Sequence, residues 1–137
     1  MVKSIKINNQ VVKNDSDKLL LISGPCLLEN EKLVRKVATN LLKYTKENKF
    51  NFVFKCSFDK ANRSSHKTVR NKISIEKSIE ILKNLKKDLN ISITTDVHET
   101  YQIDTFGDLI DVIQIPAFLC RQTDLIKAAA QTKKVVN

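Results

Sequence analysis

The spacing of apolar residues along this chain changes several times, and each change marks an element. Residues 3–13 (Lys-Ser-Ile-Lys-Ile-Asn-Asn-Gln-Val-Val-Lys) alternate about Asn8-Asn9, which predicts a β-hairpin. Leu19 to Ile22 is an unbroken apolar run stopped by Gly24-Pro25, the pattern of a strand buried on both faces. From Asn30 the period lengthens: Leu33, Val34, Val37, Leu41 and Leu42 share one helical face, with lysines opposite. Phe52-Val53-Phe54 predicts a second buried strand. Ile75, Ile79, Leu82, Leu85 and Leu89 predict an amphipathic helix, with Ser74 placed to cap it. Ile91 to Thr95 predicts a third strand, Glu99 to Phe106 a short helix, and Asp111 to Ile115 a fourth strand stopped by Pro116. Thr123 to Thr132 is alanine-rich and helical, and Val135-Val136 opens a fifth strand.

Strand and helix therefore alternate four times from about residue 19, the signature of βα units with a parallel sheet and right-handed crossovers. A doubly wound nucleotide fold would need a glycine-rich first turn. The chain has only Gly24 and Gly107 and no G-x-G-x-x-G. A (β/α)₈ TIM barrel fits better, although such barrels need about 250 residues. The expectation is an α/β chain in which residues 1–137 make a hairpin and then about the first four βα units of a barrel, a truncated one.

Composition narrows the setting. No apolar run approaches the roughly 20 residues of a membrane span, and the N-terminus lacks a signal-peptide pattern, so a cytoplasmic location is expected. Cys26, Cys56 and Cys120 are odd in number and form no CxxC pair, which fits free thiols in a reducing compartment. A net charge of +9 raises the reading of a basic nucleic-acid-binding fragment. Against it, lysines outnumber arginines 20 to four, and no aromatic series alternates with the basic residues. Nucleic acid is therefore the weaker expectation.

In barrels of this kind the chemistry gathers at the C-terminal ends of the strands. The polar oddities fall there. After the second strand, Lys55 to Lys72 carries six Lys or Arg against one acid, Asp59, with Asn62, Ser64 and Ser65 among them. Such a set suits an anionic small molecule, and a solvated basic loop is the plain alternative. Cys26 could present a thiolate to a divalent ion or serve as a small buried hydrophobe. His98 fits a second ligand or an ordinary loop histidine. Asp96, three residues before Glu99, could cap the next helix or face a substrate. Gln114, between Ile113 and Ile115, should point opposite to them, into the barrel or its mouth, where it needs a polar partner. Arg121-Gln122 could bind phosphate or simply start the last helix.

Four segments carry a family resemblance: Ser23-Gly-Pro-Cys26, Phe52 to Ser65 around Lys-Ala-Asn-Arg-Ser-Ser, Thr94-Thr-Asp-Val-His-Glu99, and Ile113 to Asp124. With them the chain resembles the 3-deoxy-D-manno-octulosonate 8-phosphate synthases, (β/α)₈ enzymes related to the 3-deoxyheptulosonate synthases, whose corresponding loop is of a Lys-Pro-Arg-Thr type. The resemblance implies condensation of phosphoenolpyruvate with arabinose 5-phosphate, releasing phosphate, in lipopolysaccharide precursor synthesis. It implies that Lys55 and Lys60 hold phosphoenolpyruvate, that Lys60 and Asp96 are catalytic, and that Asn62, Arg63 and Ser64 grip the pentose phosphate. Gln114, Pro116, Ala117 and Phe118 would line the site. Cys26 would be one ligand of a divalent metal of the iron, manganese or zinc class. A homotetramer, in which the basic loop reaches a neighbour's site, is the implied assembly.

Two departures qualify the implication. Val69-Arg-Asn-Lys-Ile73 replaces a glycine-containing run, and the sequence ends at Asn137. There the family continues with a further lysine, an arginine and the remaining histidine, glutamate and aspartate ligands. An inactive remnant that binds sugar phosphate or oligomerises is the alternative expectation.

Overall fold

The computed structural model describes residues 4–60 and 73–137. Strands β1 (Ser4–Ile7) and β2 (Gln10–Lys13) pair antiparallel as the expected hairpin, with Asn8 at a left-handed φ of 52° in the turn. Five parallel strands follow in the order of the chain: β3 (Leu20–Ser23), β4 (Asn51–Lys55), β5 (Ser92–Asp96), β6 (Val112–Gln114) and β7 (Val135–Val136). A doubly wound sheet would reverse its order at a switch point. Here there is none among the described strands, and the curled sheet follows the course of half a barrel wall.

Helices α1 (Glu31–Glu47), α2 (Ile75–Leu89), α3 (Thr100–Phe106) and α4 (Thr123–Gln131) fill the crossovers. Asn30 starts α1 by accepting the Leu33 N–H at 2.9 Å, and Ser74 starts α2 by accepting that of Lys77 at 3.2 Å. Each such cap is worth about 1 kcal/mol. Both helices stop where a residue takes left-handed backbone, Lys49 just past α1 and Asn90 at the end of α2.

Strand alternation divides the sheet's two faces. Phe52, Phe54, Ile93, Ile113 and Ile115 pack with Val34, Ala38, Leu82, Leu85, Phe106 and Leu125 on the helix side. Val53 and Val112 turn the other way and pack with Ile7 of the hairpin. Lys55, Asp96 and Gln114 share that second face by parity, two residues further along their strands. Near the hairpin the inner face thus carries Val53 and Val112 on either side of Ser92 and Thr94, and at the C-terminal ends it carries charged and amide side chains.

One expectation is corrected. The Leu19–Ile22 run does not lie buried on both faces: Leu19 is 68% exposed, and β3 is only partly buried along its length. It is an edge strand with β4 as its sole partner among the described strands, so its apolar sequence is not matched by cover.

The hairpin is held to the sheet by a side chain that imitates backbone. Gln10 Oε1 accepts the Phe52 N–H at 2.6 Å, while its Nε2 donates to the Phe52 carbonyl at 2.8 Å and to Ser92 Oγ at 3.2 Å. The β4–β5 ladder begins one residue later, at Val53 and Ser92, so the carboxamide takes the place of the absent strand residue. Removing it orphans backbone groups of a buried residue, and each such group costs about 1–3 kcal/mol. Gln10→Ala should therefore lower stability by about 2 kcal/mol in urea unfolding. Thr94 presents the opposite case, a hydroxyl on a fully buried residue that meets no partner among the described residues. Thr94→Val keeps the shape and removes the unmet hydroxyl, and should raise the urea midpoint by the equivalent of about 1 kcal/mol.

Candidate active site

The residue that gathers the site is Asp96, the last of β5 and 4% exposed. Lys55, at the end of β4, reaches its Oδ1 with Nζ at 3.0 Å. Lys60, five residues on, reaches Oδ2 at 3.2 Å. Gln114, at the end of β6, donates from Nε2 to Oδ1 at 3.1 Å. Asn137 Nδ2 in turn donates to Gln114 Oε1 at 3.3 Å. A belt of polar side chains therefore runs across the ends of β4, β5, β6 and β7.

Ser57 ties the two ammonium groups together. Its Oγ accepts from Lys55 Nζ at 3.0 Å and from Lys60 Nζ at 2.6 Å. Ser57 is fully buried and is fixed through its backbone, whose carbonyl accepts the Leu28 N–H at 2.9 Å. Beyond the ladder, the Cys56 N–H donates to the Thr94 carbonyl and the Phe58 N–H to Thr95 Oγ1. These bonds carry strand-like order past the end of β4, so the lysines project from a braced segment. Gly24 allows β3 to approach it: a Cβ there would collide with the Lys55 carbonyl.

Burial pushes the Asp96 carboxyl up, but the Lys55 hydrogen bond and charge, the Lys60 charge and the Ser57 hydroxyl outweigh it. The net result lies below the ordinary aspartate value, so Asp96 is ionised at neutral pH. Burial drives the neighbouring Cys56 thiol to about 12 despite the two lysines, which makes it a neutral packing group.

The structure removes one of the two readings of Asp96. It is no helix cap: Glu99 and Gln102 form the capping box of α3, and Gln102 Oε1 accepts the His98 and Glu99 N–H groups. Gln114 points as its neighbours required, away from Ile113 and Ile115. Pro116 is buried behind the belt, while Ala117 and Phe118 stand exposed in a 3₁₀ turn, Phe118 at 50%. Arg121 is exposed and Gln122 is the N-cap of α4. Asn62, Arg63 and Ser64 lie outside the described residues.

Cys26 is exposed after β3. Among the described residues no three His, Cys, Asp or Glu side chains gather as a metal site, and the His98 ring packs 5.8 Å from that of Phe58. The described donors therefore do not amount to a metal centre. Ser57 and Asn137 are the members of the belt that residue-by-residue reading missed. Alternation offered a signal for both, since each continues the inward parity of its strand.

The sequence pattern described as the DAHP synthetase I family matches residues 3–137. A 2-dehydro-3-deoxyphosphooctonate aldolase of Rickettsia typhi is 46% identical over 136 residues, covering 99% of this chain and 49% of the relative. Proteins of the same name from Wolinella succinogenes and Koribacter versatilis are each 43% identical, over 119 and 137 residues. Those matches cover 87% and 100% of this chain, and 45% and 48% of the relatives. The chain spans about half the length of the curated relatives it matches. No described helix is long and apolar enough to cross a membrane.

Because the Asp96 carboxyl is depressed in the fold, its stabilising contribution is complete above its unfolded value, about 3.9. It fades as pH falls through the lower folded value. Urea midpoints should fall on that acid limb, and Asp96→Asn should flatten it while lowering stability at pH 7 by about 2–4 kcal/mol through the orphaned lysines.

Proposed function

The chain belongs to the DAHP synthetase I family, and we propose that it carries the phosphoenolpyruvate-binding part of a 3-deoxy-D-manno-octulosonate 8-phosphate synthase site. The reaction is the condensation of phosphoenolpyruvate with arabinose 5-phosphate and water, releasing phosphate. In this reading the parallel sheet is the first part of a (β/α)₈ wall, and the belt lies at its C-terminal mouth.

One observation carries the reading: two ammonium groups held at one buried carboxylate at the strand ends. Each ammonium has three donors, and among the described residues each uses two, on Ser57 and on Asp96. Counting the described residues alone, one N–H of each lysine is left for a ligand. Two positive charges against one negative leave the cluster cationic, which favours an anion carrying a carboxylate and a phosphate. Asp96 would hold the lysines protonated and aimed, and Ser57 would fix their separation. Gln114 would bridge the carboxylate to the next strand, with Pro116, Ala117 and Phe118 beside it.

The pentose phosphate would be gripped by Asn62, Arg63 and Ser64, a role that rests on their sequence alone. A divalent ion of the iron, manganese or zinc class would bind through the Cys26 thiolate with its other donors from outside the described residues, and no step is assigned to it. A homo-oligomer, tetrameric as the resemblance implies, and a cytoplasmic setting complete the reading.

Phosphoenolpyruvate binding to the chain, measured by calorimetry, tests the proposal. Lys60→Ala removes one charge-assisted contact worth about 1.5–3 kcal/mol and should weaken binding roughly ten- to hundredfold. Phosphate release from phosphoenolpyruvate, arabinose 5-phosphate and a divalent ion should be followed in parallel. That assay should use the chain alone and the chain mixed with a polypeptide covering the rest of a relative's length. No binding together with no release in either mixture would sink the proposal.

A further inference from the structure

We infer that Asn137 is a positioning residue that sets which way the Gln114 carboxamide faces. The activity-related part of this inference rests on the phosphoenolpyruvate reading above; the geometric part does not.

A primary carboxamide has one end that only accepts and one that only donates. Asp96, being ionised, only accepts, so Gln114 helps the site in one of its two flips and harms it in the other. With Nε2 toward Asp96 Oδ1 it adds a charge-assisted bond, here 3.1 Å. With Oε1 toward Asp96 it would set two acceptors against each other on a buried carboxylate. Asp96 Oδ1 accepts Lys55 and Gln114 together, so this bond is the first of two constraints on the amide.

Asn137 supplies the second constraint. Its Nδ2 donates to Gln114 Oε1 at 3.3 Å, which the reversed amide could not accept. The backbone holds it there: the Asn137 N–H donates to the Ile113 carbonyl at 2.8 Å, and its carbonyl accepts the Ile115 N–H at 2.9 Å. Those two bonds bracket Gln114, so the two carboxamides sit side by side on adjacent strands, facing the same way. A chain of donors therefore runs in one direction, from Asn137 to Gln114 to Asp96. Its effect is to leave the lysines less burdened as partners of Asp96 and freer toward an incoming anion.

The test needs no substrate for its first arm. In the unaltered chain, hydrogen exchange of the side-chain amides followed by NMR should show the Gln114 Nε2 protons exchanging about tenfold more slowly than those of an exposed glutamine. Gln114→Glu identifies the resonance by deleting it. Asn137→Leu removes the donor without adding charge. It should speed Gln114 exchange about tenfold, whereas a residue that merely completed the ladder would lower stability and leave this exchange unchanged. Asn137→Ser, a shorter donor, should recover part of the protection. In the second arm, Asn137→Leu should weaken phosphoenolpyruvate binding about three- to tenfold.

Unprotected Gln114 amide protons in the unaltered chain overturn the inference without recourse to any variant, so a variant that fails to fold does not shelter it. Unchanged exchange in a folded Asn137→Leu overturns it equally. Faster exchange in that variant, with no phosphoenolpyruvate binding even by the unaltered chain, supports the positioning role and counts against the functional reading alone.

Discussion

The structure depends on keeping one carboxylate ionised where water barely reaches it. An aspartate at 4% exposure loses most of its hydration, a cost of several kcal/mol that opposing charges and hydrogen bonds must offset. Asp96 is offset by Lys55, Lys60 and Gln114, which arrive from three segments of the chain. No one element could assemble this set. The requirement for all three to converge fixes the relative placement of β4, β5, β6 and the segment following β4, and it makes the strand-end region intolerant of loss. A buried ion pair of this kind adds little to stability compared with apolar packing. Its value lies in holding two ammonium groups in place.

What makes that convergence affordable is the division of the inner face. Near the hairpin the inner positions are Val53 and Val112, closed over by Ile7, and Gln10 supplies the bonds that a strand would otherwise give. Two residues further along, the same parity brings out Lys55, Asp96 and Gln114. A layer of Val53, Thr94 and Val112 thus separates the floor from the polar mouth. The helix side contributes no member of the polar belt among the described residues. Its buried Phe54, Ile93 and Ile113 keep the strands in register, and register is what decides that the polar residues face one another.

Most of this arrangement could be read from the residues, because periodicity and strand-end polarity are local signals. The hairpin about Asn8-Asn9, the cap at Ser74 and the order of the strands needed no tertiary information. Gln114 was legible for the same reason, since its inward direction follows from Ile113 and Ile115. The readings that required contact information were the ones left open or missed. Asp96 carries an Asp-x-x-Glu spacing that satisfies a capping box as well as a site; only Gln102, acting with Glu99, takes the capping role from it. Leu19–Ile22 looked buried because apolar runs report what a strand can bury, not whether neighbours are there to cover it. Ser57 is an unremarkable serine in sequence, and it matters only because two lysines fold back onto it.

Charge closes the argument. The two ammonium groups face a single carboxylate, and the thiol that might have joined them, Cys56, is held neutral by its own burial. Asp96 is the carboxylate that both ammonium groups bond, and it offsets one of their two charges. Were Asp96 absent, two like charges a few ångströms apart would separate toward solvent and lose their aim. One buried acid bonded to two lysines supplies enough negative charge to organise the cations while offsetting only one of their two charges.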